Sequence, residues 1–193
     1  MRAGSWKTVA NRLAASGSVV EARWPGNLSG KIGTRIGKHG TFGMDMTWVT
    51  GRIAVGGGIW TAENMVAVAR AGVTHIIDMQ IEFDDTRLAE PHGIEVLWNP
   101  IDDDFQPKPP EVFQRGVDFA VQALEAEANK LFIHCAAGVH RAPMMTLAVL
   151  CTSGWTPETA RELIEKRRPV VDFADVYVRS VERFLDQQVR AGK

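Results

Sequence analysis

The sequence predicts an α/β fold with a central, mainly parallel sheet flanked by helices, and three observations predict it. From Trp48 onward, short runs rich in Val, Ile and Leu alternate with segments whose apolar residues recur at helical spacing. KLFIH, residues 130 to 134, is apolar at every position but its ends, as a strand covered on both faces should be. Glycines, prolines and capping residues stand where those elements should start and stop.

Taken in order, WVTGRIAV reads as two short strands around Thr50 and Gly51, and the glycines at 56 to 58 as a loop. A helix follows, with Thr61 as its cap, Met65, Val66, Val68 and Ala69 on its apolar side, and Gly72 at its left-handed stop. VTHIID (73 to 78) and IEVLWNP (94 to 100) read as buried strands, separated by an acidic loop and a turn at EPHG. Between Pro109 and Ala128, Phe113, Val117, Ala120, Val121 and Leu124 share one helical face. KLFIH is the next strand. Three helices are then expected at about 141 to 153, 157 to 168 and 175 to 190, the second capped by Thr156 with Pro157 in its first turn. Arg167 and Arg168 read as its solvated end.

The chain has 193 residues, 45% hydrophobic and 23% charged, and fits one globular domain. The first 40 residues carry seven Lys/Arg against Glu21, a net +6 that leaves −7 on the remainder. With the glycine-rich stretch 26 to 43 they read as a basic extension, residues 1–45, ahead of a domain at 46–193. Two cysteines cannot build a disulfide framework, and with five histidines they show no zinc spacing. No apolar run approaches the roughly 20 residues of a membrane span, and no secretory pattern opens the chain. A reducing, cytoplasmic setting is the expectation.

LFIHCAAGVHRAPMM, residues 131 to 145, carries the chemistry. Cys135 stands at the carboxyl end of a predicted central strand, where open α/β sheets bind ligands. Ala136, Ala137 and Gly138 let the backbone curl tightly, so successive N–H groups and the start of the next helix face one point. Gly138 tolerates positive φ there. Arg141 can clamp two oxygens of an anion in that cradle. The same positive field favours thiolate over thiol at Cys135. NPIDDDFQ, residues 99 to 106, ends another strand with three carboxylates, any of which could protonate a leaving oxygen.

HCAAGVHR, residues 134 to 141, resembles the HCxxGxxR phosphate-binding loop of the cysteine-based protein tyrosine phosphatase superfamily, most closely its dual-specificity branch. GRIAVGG, AGVTHIIDM, NPIDD and RRPVV follow the order and rough spacing of that family over about residues 47 to 186. The resemblance implies Cys135 as nucleophile, Arg141 as phosphate clamp, the backbone of Ala136, Ala137, Gly138, Val139, His140 and Arg141 as substrate-binding, and His134 as support for the loop and thiolate. It implies Asp103, 32 residues before Cys135, as general acid, with Asp102 second and Asp104 third. Neither metal nor cofactor is implied.

One position departs from the pattern. The family places Ser or Thr directly after the arginine, where its hydroxyl assists hydrolysis of the phosphocysteine, and this chain has Ala142. The expected function is a tyrosine or dual-specificity phosphatase acting on a phosphorylated protein or peptide, with no nucleic acid partner. The alternatives are a phosphate-binding module with little turnover and a phosphatase of a phospholipid, phosphometabolite or RNA 5′-phosphate; sulfur transfer or arsenate reduction would leave the aspartates idle. Cys151, some ~15 Å along the helix after Cys135 at 1.5 Å per residue, reads as core. His140 rims the loop, and His39, His75 and His92 join no constellation.

Overall fold

The computed structural model describes residues 43–191. The expected basic extension lies outside these residues, apart from its last three positions. Five strands form one sheet: β1 (Met46–Trp48), β2 (Ile53–Gly56), β3 (His75–Asp78), β4 (Glu95–Trp98) and β5 (Leu131–His134). Their spatial order is β1-β2-β5-β3-β4, with β1 antiparallel to β2 and every other pair parallel. The helices are α1 (Ala62–Arg70), α2 (Thr86–Ala89), α3 (Pro110–Ala123), α4 (Arg141–Thr152), α5 (Pro157–Arg167) and α6 (Asp175–Ala191), with a 3₁₀ turn at Glu90–His92.

β5 occupies the middle of the sheet because all four of its residues are apolar or internally accommodated, and all four are buried. Alternation along the strands then divides the core in two. Ile53, Val55, Ile77, Leu131 and Ile133 face α3, α4 and α6, meeting Phe113, Met144, Leu147 and Phe184. Ala54, Ile76 and Phe132 face the other way, onto Met65 and Val68 of α1 and Ala89 of α2. α4 is buried from Arg141 to Leu150, so it is apolar nearly all round, as a helix at the centre of a helical layer must be.

Most of the expected elements are present at the expected places. Thr61 caps α1 by accepting from Asn64 N at 3.3 Å, and Gly72 takes φ +82° just past its end. Three expectations need correction. β4 is not buried throughout: Glu95 and Trp98 are exposed, because the strand lies at the sheet edge and pairs only with β3. The acidic loop before it contains α2 and the 3₁₀ turn, elements too short to show a period, which end at Gly93 with φ +64°. α3 stops at Ala123 instead of continuing toward Ala128. Arg52 closes its end by donating to the carbonyls of Leu124 (2.9 Å) and Asn129 (3.0 Å).

Candidate active site

The parallel strands all end on one side of the sheet, and the 135–141 loop sits there, between the end of β5 and the start of α4. The carbonyls of residues 136 to 140 are all taken by donors. Ala136 O accepts from Gly58 N at 3.0 Å, Val139 O from Asp172 N at 3.0 Å and His140 O from Met144 N at 3.0 Å. Ala137 O and Gly138 O accept from the guanidinium of Arg168, at 3.3 and 2.9 Å. Gly138 N donates to Cys135 Sγ at 3.3 Å, and the amides of Ala136, Ala137, Val139, His140 and Arg141 have no acceptor among the described residues. Gly138 adopts φ +65°, and a Cβ there would lie 2.5 Å from both Arg168 Nη2 and the Gly56 carbonyl carbon, so only glycine fits.

Arg141 is 3% exposed, and its guanidinium is held from several sides. Nη1 and Nη2 donate to Glu82 at 2.9 and 2.7 Å, and Nη1 also to Ile101 O at 3.1 Å. Nε has no hydrogen bond and lies 3.7 Å from Asp103 Oδ2. Burial works against its charge, but the Glu82 hydrogen bonds and the charges of Cys135, Glu82 and Asp103 outweigh it and raise the pKa. Glu82 is lowered in turn, chiefly by the hydrogen bond from Arg141.

The three aspartates part company. Asp103 turns toward the loop: Oδ2 lies 3.1 Å from His140 Nδ1, and Oδ1 accepts from the Tyr177 hydroxyl at 2.9 Å. Asp102 is exposed and accepts only from Asp103 N. Asp104 pairs with Lys108, whose hydrogen bond lowers its pKa and keeps it ionised. Tyr177 is pushed up to about 12, mainly by burial, so it stays a neutral donor to Asp103.

His134 is fully buried with Asp78 and Asp85, its Nε2 3.0 Å from Asp85 Oδ2 and 3.8 Å from Asp78 Oδ1. Burial raises Asp78 from 3.8 to about 7. The folded state therefore holds this proton more tightly than the unfolded chain. The stability it contributes is full below pH 3.8 and is lost progressively up to about pH 7. Asn has no proton to lose. Asp78→Asn is therefore expected to raise the melting temperature at pH 8, by an amount equivalent to a few kcal/mol, and by less at pH 5, as calorimetry at the two pH values would show.

Arg168 corrects the sequence reading. It is 5% exposed, not a solvated helix end, and it makes a two-pronged ion pair with Asp45 at 2.6 and 2.7 Å while holding the loop carbonyls. Asp45 thus belongs to the folded body, at the edge of the expected extension. Glu82, Asp85 and Tyr177 also escaped the sequence reading. Glu82 and Asp85 did carry a signal, since both follow the carboxyl end of a strand; Tyr177, the sole tyrosine, carried none. Cys151 packs against the core as expected, and burial pushes its thiol up to about 12. A cleft of about 290 Å³ lined by His75, Glu95 and Phe119 lies at the amino ends of β3 and β4 and shares no residue with the loop. No described helix is long and apolar enough to cross a membrane.

Comparison with known proteins gives the family and the fold. Residues 59–187 match the family model of the dual specificity phosphatase catalytic domain. Dual specificity protein phosphatase 5 of Rattus norvegicus is 35% identical over 75 residues, which is 38% of this chain and 19% of that protein's length. Among solved structures, PTPMT1 in complex with PI(5)P superposes with a TM-score of 0.69 at 20% identity, covering 77% of this chain and 99% of that one. Tk-PTP in its active form gives 0.64 at 21% identity, covering 75% and 97%. Human DUSP28 gives 0.64 at 17%, covering 75% and 95%. At these identities the structures establish the fold, and with the family match over most of the described residues the chain belongs to the dual-specificity phosphatases of the protein tyrosine phosphatase superfamily.

Proposed function

We propose that the chain hydrolyses phosphomonoesters through a phosphocysteine at Cys135, with phosphotyrosine or another phosphorylated protein residue as substrate, in a reducing, cytoplasmic setting. The observation that carries this reading is the polarity of the 135–141 loop. The carbonyls of residues 136 to 140 are taken by donors, Gly138 N donates to the sulfur, and five further loop amides and Arg141 Nε are left without an acceptor among the described residues. Such an arrangement suits the equatorial oxygens of a transferring phosphoryl group, whose charge fixed donors stabilise without reorganising.

In this mechanism Cys135 Sγ attacks phosphorus in line with the ester oxygen. The P–O bond breaks as the S–P bond forms, and Asp103 gives its proton to the leaving oxygen. Asp103, now a carboxylate, takes a proton from the water that attacks the phosphocysteine, releasing phosphate and the thiolate. Tyr177 and His140 hold Asp103 over the loop, and Glu82 holds Arg141. The preference for a phosphoprotein over a phosphoinositide rests on the variable loop positions, Ala136, Ala137, Val139 and His140, which supply no lysine for a further phosphate. The solved structure of PTPMT1 with PI(5)P favours the lipid alternative, and parallel assays of a phosphotyrosyl peptide and PI(5)P decide between them.

Ala142 makes the second chemical step the slow one. It is fully buried, and the nearest helix hydroxyl, Thr146 Oγ1, is committed to Ala142 O at 2.8 Å. With p-nitrophenyl phosphate, wild-type protein is expected to release a burst of nitrophenol near one equivalent, followed by slow turnover. Ala142→Ser should raise the steady rate several-fold and diminish the burst. A phosphate-binding module would show neither burst nor turnover above Cys135→Ser.

A further inference from the structure

Three buried ionisable groups stand behind the loop, and the mechanism above assigns no task to two of them. The parallel register sets His134 beside Asp78 on one side and Gly56 on the other. Asp85 enters from the segment between β3 and α2. Asp78, Asp85 and His134 each have no exposed surface, and their ligating atoms lie within 4.8 Å of one another. Phe132 stacks on the imidazole, with ring centroids 5.1 Å apart.

Asp85 is placed oddly for its position. It is the residue preceding α2, where an aspartate ordinarily accepts a hydrogen bond from a helix amide, yet its side chain makes no such bond. The carboxylate is instead turned inward, and both its oxygens lack a well-aligned donor. An isolated buried carboxylate is strongly unfavourable. The group that can compensate it is His134, whose Nε2 stands 3.0 Å from Oδ2.

We propose that Asp85 is a positioning residue, the carboxylate that fixes His134 behind Cys135 with a proton on Nε2. An imidazole nitrogen bearing a lone pair would be repelled by an oxygen at 3.0 Å, whereas Nε2–H is attracted to it. The ionisable groups that face Asp78 are His134 and Asp85; burial raises Asp78 to about 7, so below neutral pH it is mostly protonated, and Asp85 is the nearer carboxyl to Nε2, at 3.0 Å against 3.8 Å. The residue so held immediately precedes Cys135, and fixing it fixes the end of β5 from which the loop, with its Gly138 N–H contact to the sulfur, begins. This inference rests on Cys135 being the nucleophile.

The test follows Cys135 alkylation by iodoacetamide as a function of pH, with mass spectrometry to assign the site. Cys151, its thiol raised to about 12, contributes little below pH 8. Wild type should alkylate with a midpoint well below that of free cysteine. Asp85→Asn should move the midpoint up by about one unit, slowing alkylation at pH 6 about tenfold. In a His134→Gln background the further Asp85→Asn change should add no shift. A folded Asp85→Asn protein with a wild-type profile, or an equal shift in both backgrounds, overturns the inference while leaving the nucleophile in place. A wild-type Cys135 titrating like free cysteine overturns both. Nitrogen NMR of wild-type His134 tests the same point without mutation: a protonated Nε2 supports the assignment, and an unprotonated one contradicts it.

Discussion

Cys135→Ser is expected to reduce hydrolysis of p-nitrophenyl phosphate by on the order of 10⁴-fold or more. A serine hydroxyl is far less acidic than a thiol and stays protonated, and the group that meets the sulfur, Gly138 N–H, is a donor and not a base. The fold should be unaffected. Oγ can accept from Gly138 N in place of Sγ, and the site, 1% exposed, gains no volume. Equilibrium dialysis with inorganic phosphate should therefore show binding close to that of wild type. Loss of turnover with retained binding separates the chemistry of the sulfur from the cradle around it. Residual turnover near the wild-type rate would mean that another group attacks phosphorus.

Asp103→Asn carries the second largest expected effect, a fall in kcat of about 10² to 10³-fold on phosphotyrosyl peptide. The loss should depend on the leaving group. Esters of acidic phenols need little proton donation and should lose least, so the slope of log kcat against phenol pKa steepens in the variant. Asp102→Asn and Asp104→Asn should keep the wild-type slope, because one carboxylate faces solvent and the other is occupied by Lys108. The same steepening in Asp104→Asn alone would move the acid to that residue. Tyr177 and His140 hold the Asp103 carboxyl, so the Asn side chain finds a hydrogen-bonding site of the same shape and folding is preserved.

The parts of this molecule legible in its sequence are those governed by local rules. β5 is legible because a central strand must be apolar on both faces, and α1 because Thr61 and Gly72 mark its ends. The loop is legible because close backbone curvature demands small residues at fixed spacing. Contacts between distant segments have no such local signature. Arg168 bonds the loop 30 residues away and Asp45 123 residues away, and in sequence it is indistinguishable from Arg167, which faces solvent. Glu82 meets Arg141 across 59 residues, and Tyr177 meets Asp103 across 74. The edge position of β4 likewise depends on strand order, which its own alternation does not encode.

These distant contacts also explain why the three aspartates, equivalent by composition, differ in the fold. Phe105, just beyond them, takes φ +54°, an uncommon conformation for a residue with a side chain, and its N–H donates to Tyr177 Oη at 2.9 Å. The tyrosine thus anchors the turn through one bond and aims Asp103 through another. The resemblance implies Asp103 as the acid; the anchoring of the turn supplies a physical reason why that aspartate, of the three, faces the loop.

The central claim is that phosphoryl transfer passes through the sulfur of Cys135, and the slow second step expected from Ala142 would make that claim directly measurable. Wild-type protein mixed with excess p-nitrophenyl phosphate, quenched in acid during the burst and digested, should yield a Cys135 peptide bearing one phosphoryl group in amount equal to the burst. The modified fraction should fall in Ala142→Ser and vanish in Cys135→Ser. Steady product formation with Cys135 unmodified throughout would contradict the account.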